Sequence, residues 1–141
     1  MSYVVIRQLL EVHLNVLSGG LPTAWENVPY KPVVGTPYQR ANLLPAETDN
    51  PTMGVAEGSG TALKRETGVF QLTLFYPLNE GAGKATERAE LLRDHYKRGT
   101  FLSAGNVRLV IDRSPSIGRA LVDDGYFVVP ISVPYRADVL S

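Results

Sequence analysis

The sequence predicts an α+β fold, with two helices packed on one face of a mixed, mainly antiparallel sheet. Three observations predict it: two segments carry apolar residues at helical spacing, several others carry them at alternate positions, and helices and strands do not alternate regularly. The last point excludes a doubly wound arrangement. At 141 residues the chain has the size of one domain, and a fold of this length buries about two thirds of the surface that its unfolded chain exposes. The expectation is a single domain over residues 1–141.

Between Tyr3 and Leu17, apolar residues at Val5, Ile6, Leu9, Leu10, Val12, Val16 and Leu17 oppose Arg7, Gln8, Glu11 and Asn15, which reads as a first amphipathic helix. Ser18-Gly19-Gly20 supplies its stop. From Pro22 to Pro51 the prolines at 29, 32, 37 and 45 favour extended backbone in edge strands and turns, with Tyr38 to Leu44 as the best strand. Ala46 to Glu66 is polar and rich in glycine, and is expected to be a long loop.

The clearest strand runs from Gly68 to Leu78, where Phe70, Leu72, Leu74 and Tyr76 alternate with Gln71, Thr73 and Phe75. After the turn Asn79-Glu80-Gly81-Ala82-Gly83, a second helix is expected from Lys84 to Arg98, with Ala85, Ala89, Leu92 and Tyr96 inward and Glu87, Glu90, Asp94 and Arg98 outward. Gly99 closes it. Val107 to Asp112 and Phe127 to Tyr135 alternate as strands, and Ile117 to Val122 reads as a short strand joined to the latter through the turn Asp123-Asp124-Gly125. The sequence contains no internal repeat and no low-complexity tract.

Composition limits function. Lys plus Arg and Asp plus Glu each total 14, so no net positive field draws the chain to nucleic acid or to an anionic membrane. Cysteine is absent, which removes disulfides and thiolate metal sites and suits a cytosolic origin. The start lacks the basic and apolar regions of a signal peptide, and no apolar run reaches the ~18 residues of a membrane span.

The candidate chemistry fails at named positions. Gly81-Ala82-Gly83-Lys84-Ala85-Thr86 follows a strand and opens a helix, a favourable place for phosphate. A phosphate loop, however, needs glycine where Leu78 stands and a hydroxyl where Ala85 stands, so a nucleotide-binding enzyme using Gly83 and Lys84 is only a remote alternative. His13 and His95 lie on different helices and could meet over the sheet, but no local ligand spacing accompanies them, and packed histidines are the simpler account. Gly58-Ser59-Gly60 lacks the setting of a nucleophilic serine, and the carboxylates at Glu47, Asp49, Glu57, Glu66, Asp123 and Asp124 fit solvated loops and a tight turn. Lys64-Arg65 and Lys97-Arg98 read as solvated pairs, and Trp25 as core or as cover for a sheet edge. No catalytic residue, metal or cofactor is expected.

Thr23-Ala24-Trp25-Glu26-Asn27-Val28-Pro29-Tyr30-Lys31-Pro32, then Gly35-Thr36-Pro37-Tyr38 and Ala41-Asn42-Leu43-Leu44-Pro45-Ala46-Glu47, form a proline-spaced signature. Gly68-Val69-Phe70-Gln71, Phe75-Tyr76-Pro77, Gly81-Ala82-Gly83 and Ala89-Glu90-Leu91-Leu92 extend it. This run resembles the phage tail-terminator-like family, relatives of the terminator of lambda-type tails. The resemblance covers residues 20–100 with specific matches, and the last 40 or so residues by pattern only. It implies two helices on a mixed sheet and a structural virion protein without cofactor. Such proteins assemble as a ring, typically of six, on the end of the tail tube, stop its polymerisation and present a surface to the head. The implied partners are further copies of the chain, the tail-tube protein and a head-tail connector, with no membrane and no sequence-specific nucleic acid. The implied place is the virion tail, after assembly in the host cytoplasm. A connector or tube subunit of the same virion is the alternative. Within this reading, the loop residues Glu47, Asp49, Glu57, Lys64, Arg65 and Glu66 are the candidate contact between neighbouring copies.

Overall fold

A computed structural model describes residues 2–17, 21–33, 35–49, 63–79, 81–123 and 125–140. In chain order the elements are α1 (Ser2–Val16), β1 (Thr23–Trp25), β2 (Tyr38–Asp49), β3 (Leu63–Pro77), α2 (Gly83–His95), β4 (Phe101–Ala104), β5 (Val107–Val110), β6 (Ser116–Ile117), β7 (Leu121–Asp123) and β8 (Tyr126–Leu140). The strands make one mixed, curled sheet in the order β1, β2, β3, β8, β5, β4, with β6 and β7 also paired to β8. Among the described strands only β1 and β2 run parallel, so the expected mixed, mainly antiparallel α+β fold is the one adopted.

Alternation decides which face is covered. Phe70, Leu72 and Leu74 of β3 stand in register with Val133, Ile131 and Val129 of β8, and all six are buried. Leu109 of β5 and Ala41 and Leu43 of β2 extend this face. Ile6, Leu10 and Leu14 of α1, Ala85, Ala89 and Leu92 of α2, and Tyr96 at the end of α2 close over it in one cluster. The second helix therefore buries the stripe read from its spacing. The first buries Leu14, which lies on the i, i+4 line of Ile6 and Leu10, and leaves Val12 and Val16 exposed.

Two prolines explain why one side of β8 is broken into short strands. The Pro130 carbonyl accepts the Gly118 N–H at 2.7 Å, on the side of β6. In an antiparallel strand the N–H and C=O of one residue point the same way, so the donor that Pro130 lacks falls on that side too. Accordingly β6 ends opposite Ile131 and β7 begins opposite Val128. Pro134 shares the parity of Pro130 and falls between the pairings of β6 and β5. Pro45 of β2 is tolerated for a related reason: β1 reaches only as far as Ala41, and beyond it β2 is an edge.

The loop expected from Ala46 to Glu66 is corrected in part. Its two ends are strand, since β2 runs to Asp49 and β3 begins at Leu63, with a bulge at Ala46 between the Pro45 and Glu47 pairings. Backbone pairing and polar side-chain contacts sustain these arms, which is why apolar alternation does not reveal them. Residues 50–62, including Glu57 and Gly58-Ser59-Gly60, lie outside the described residues, as do the stop at residues 18–20, Glu80 and Asp124. Strand β4 escaped the sequence reading, because Phe101-Leu102-Ser103-Ala104 has no alternating pattern. It pairs with β5 as a hairpin through Gly105 and Asn106.

The helices are fastened to each other by polar contacts in a mostly apolar setting. The Tyr96 hydroxyl donates to the Leu10 carbonyl at 2.7 Å, and burial pushes this phenol far above its ordinary range. His13 and His95 stack at 3.9 Å with their planes 8° apart. His13 Nε2–H donates to the His95 carbonyl at 2.8 Å, and His95 Nε2–H donates to the His13 carbonyl. Burial lowers the His13 pKa below the usual imidazole value, against the backbone hydrogen bond that raises it. At the sheet edge, Glu26 Oε1 accepts from the Leu43 N–H at 2.8 Å and from Arg7 at 3.0 Å, tying the turn after β1 to both β2 and α1.

Three outcomes follow from this packing. A Cβ at Gly68 would sit 2.6 Å from the Tyr135 hydroxyl and 2.7 Å from the Leu44 carbonyl. Gly68→Ala should therefore cost about 1–3 kcal/mol in a denaturant melt. Leu72→Ala, in the centre of the core, should cost about 2–5 kcal/mol in the same melt. His13 binds its proton more weakly when folded, so its contribution is present above the ordinary imidazole pKa and is lost as pH falls through the lowered one. The thermal midpoint should drop between pH 7.5 and pH 5, and drop less in His13→Gln; equal drops would contradict this role.

Candidate interaction surfaces

The phosphate-loop lookalike is a helix start and little more. Gly81 has φ +77°, α2 opens at Gly83, and Ala82 caps it without a side-chain hydrogen bond. Ala85, at the position where a phosphate loop needs its hydroxyl, points into the core. The two histidines do meet, as their positions allowed, but both Nε2 atoms are bonded to backbone carbonyls. Among the described residues, no group of three or more His, Cys, Asp or Glu side chains is placed to hold a metal ion. Trp25 is half-buried against the core at the β1 edge, the cover role expected of it.

The charged residues singled out between 46 and 66 are placed as follows. Glu47 and Asp49 lie on β2 in register with Thr67 and Arg65 of β3. Arg65 meets Asp138 of β8 with Nε 2.9 Å from Oδ1 and Nη2 3.5 Å from Oδ2, a forked contact on the face away from the helices. Glu66 points to the opposite face with its side chain 1 % exposed, and the exposed Lys64 Nζ lies 3.8 Å from it. The hairpin thus brings five of the six residues onto its arms, with Arg65 on one face and Lys64 and Glu66 on the other. Arg65, Asp138 and Arg108 stand side by side across β3, β8 and β5, a row of alternating charge that only the register reveals, and the backbone of Asp49 is in register with Arg65.

The helix-free face of the sheet is mixed. Gln71 accepts from Ser132 at 2.9 Å, and Tyr38 stacks on Phe75 at 4.6 Å, with Tyr126 edge-on and Arg40 5.6 Å from the Phe75 ring centre. Beside α1 lie two grooves. One, of about 600 Å³, runs between Arg7, Glu11, Asn15 and the turn Trp25 to Val28. The other, of about 470 Å³ and much more apolar, lies between Val5, Leu9, Val12 and Val16 of α1 and the edge strand β4.

The second groove has a sequence signal that periodicity alone misreads. At 100° per residue, the apolar positions of α1 from Val12 round through Val5, Val16, Leu9 and Ile6 to Leu14 span about 200° of its circumference, about twice what a surface helix needs. The surplus is left outside: Val12 is 60 % and Val16 70 % exposed, beside Phe101 of β4 at 59 %.

Comparison with known proteins agrees with the geometry. A solved structure that is 26 % identical superposes with a TM-score of 0.73, covering 99 % of this chain and 96 % of its own. A search of curated proteins finds no match. The model of the phage tail terminator protein family matches residues 5–135, nearly the whole chain, and the protein accordingly belongs to that family of structural components of the phage tail.

Proposed function

We propose that the protein assembles as a ring of six copies on the end of the phage tail tube, stops tube polymerisation there and offers the surface to which the head is joined. The observation that carries this reading is the match of residues 5–135 to the terminator family. The partners are then further copies of the chain, the tail-tube protein and a head-tail connector protein. Assembly takes place in the host cytoplasm and ends in the virion tail. The reading requires no cofactor and no catalytic residue, since stopping a polymer needs only a surface that binds its end and does not propagate.

A ring requires a heterologous contact, in which one patch of each copy meets a different patch of the next. In this reading the β2–β3 hairpin supplies polar contacts to a neighbour. Lys64 is presented outward, Arg65 and Glu66 hold the arm through Asp138 and Lys64, and Glu47 and Asp49 line the facing strand, with Glu57 between them in sequence. Contacts of this kind are polar and screened by salt, so the ring should loosen as ionic strength rises.

The test is to mix the purified protein with assembling tail-tube subunits and measure tube lengths by electron microscopy. Added protein should shorten and narrow the length distribution, and raising salt from 0.05 to 0.5 M should weaken the effect. Unchanged lengths would remove the terminator reading. Growth of tubes from this protein alone would make it a tube subunit instead.

A further inference from the structure

Two strand edges of the sheet are bare, apolar and far apart. Strand β4 pairs only with β5, and β7 only with β8, so each has one side without a partner strand among the described residues. Exposed edges are normally guarded by lysine, proline or a bulge. Phe101-Leu102-Ser103-Ala104 has none of these, and the exposed Phe101, Val12 and Val16 widen it into the groove along α1. On β7, Leu121 and Val122 are exposed as well, Val122 by 68 %.

Cations stand around the first place, and the second has a carboxylate at its end with the exposed Arg119 before its start. From Lys97 to Val110 the chain has three cations, Lys97, Arg98 and Arg108, and no carboxylate. All three are exposed; Lys97 and Arg98 lie just before β4, and Arg108 lies on the helix-free face of β5. β7 ends in the exposed Asp123. Among the described residues none of these five charges forms an ion pair. The patches also lie toward opposite ends of the molecule. Phe101 pairs with Val110, which pairs with Arg136, whereas Val122 pairs with Phe127. Nine residues of β8 separate these levels, about 30 Å at ~3.3 Å per residue.

We propose that the β4–α1 groove of one copy receives the β7 edge of the next. Leu121 and Val122 enter the groove beside Phe101, Val12 and Val16, the two bare edges exchange backbone hydrogen bonds, and Asp123 meets Lys97 and Arg98. Such a contact joins different patches at opposite ends, which is what a closed ring needs, and in that sense it rests on the ring reading. The hairpin arms lie at the β4 end of β8, because β3 residues 63–66 pair with β8 residues 137–140. Polar and apolar contacts then fall on the same neighbour.

The absence of cysteine makes the test clean. A protein carrying both Phe101→Cys and Val122→Cys cannot close a disulfide within one copy, because the two sites are about 30 Å apart and a disulfide needs Cα atoms within about 7 Å. Mild oxidation under conditions in which the wild type assembles should give a ladder of cross-linked oligomers up to the ring, while each single variant should give monomer. No ladder from the double variant, or dimers from Phe101→Cys alone, would overturn the proposal. Phe101→Lys with Val16→Lys should weaken assembly at least tenfold with an unchanged circular-dichroism melt. Asp123→Lys should also weaken it, and Lys97→Glu with Arg98→Glu should restore it. If the lysine variant still forms rings but no longer caps tubes, the groove belongs to the tube subunit and the proposal fails while the terminator reading stands. If the wild type forms no ring at any concentration or on tube ends, both fall together.

Discussion

Everything in this fold leans on the antiparallel ladder between β3 and β8. The two strands stay in register from Leu63 opposite Leu140 to Pro77 opposite Tyr126, and each is 15 residues long. Because side chains alternate, that one register places Phe70, Leu72, Leu74 and their β8 partners on the same face; a slip of one residue would turn the whole set outward. The helices then have a single surface to cover. The length of β8 also exceeds what any one strand on its other side can match, so β7, β6 and β5 follow one another along it, divided where Pro130 and Pro134 lack donors.

An open sheet built in this way has ends and edges that a closed barrel does not. α1 lies where the two outer strands approach it: Arg7 reaches Glu26 beyond β1, and Val5, Leu9, Val12 and Val16 line the groove with β4. It covers the core with Ile6, Leu10 and Leu14 and is bound to α2 by the Tyr96 hydroxyl and the histidine stack. The result is a subunit with one continuous apolar core whose surface still retains apolar strips. Exposed apolar strips of this kind mark interaction surfaces.

Much of this was legible in the residues. The stripe Ala85, Ala89, Leu92, Tyr96 and the alternation of β3 and β8 are direct signatures of burial on one face, and the structure keeps them. The stretches that escaped were those where burial is not what holds the chain. Residues 46–49 and 63–66 are polar but paired through their backbones, and β4 is short and one-sided. On α1, too many apolar residues were available, so spacing alone could not separate the inward Leu14 from the outward Val12 and Val16. For the site, the failure of phosphate chemistry was readable at Leu78 and Ala85, and the meeting of His13 with His95 was foreseeable. The opposed faces of Arg65 and Glu66 and the charge row through Asp138 required the register.

The central claim is that this chain acts as a cap on the tube end, and the direct measurement is its position on assembled tubes. Electron cryomicroscopy of tubes grown with the protein, averaged separately over ends and shafts, should reveal a single ring of its density at one end only, with six-fold symmetry. Density distributed along the shaft, or ends indistinguishable from those of tubes grown without it, would contradict the account.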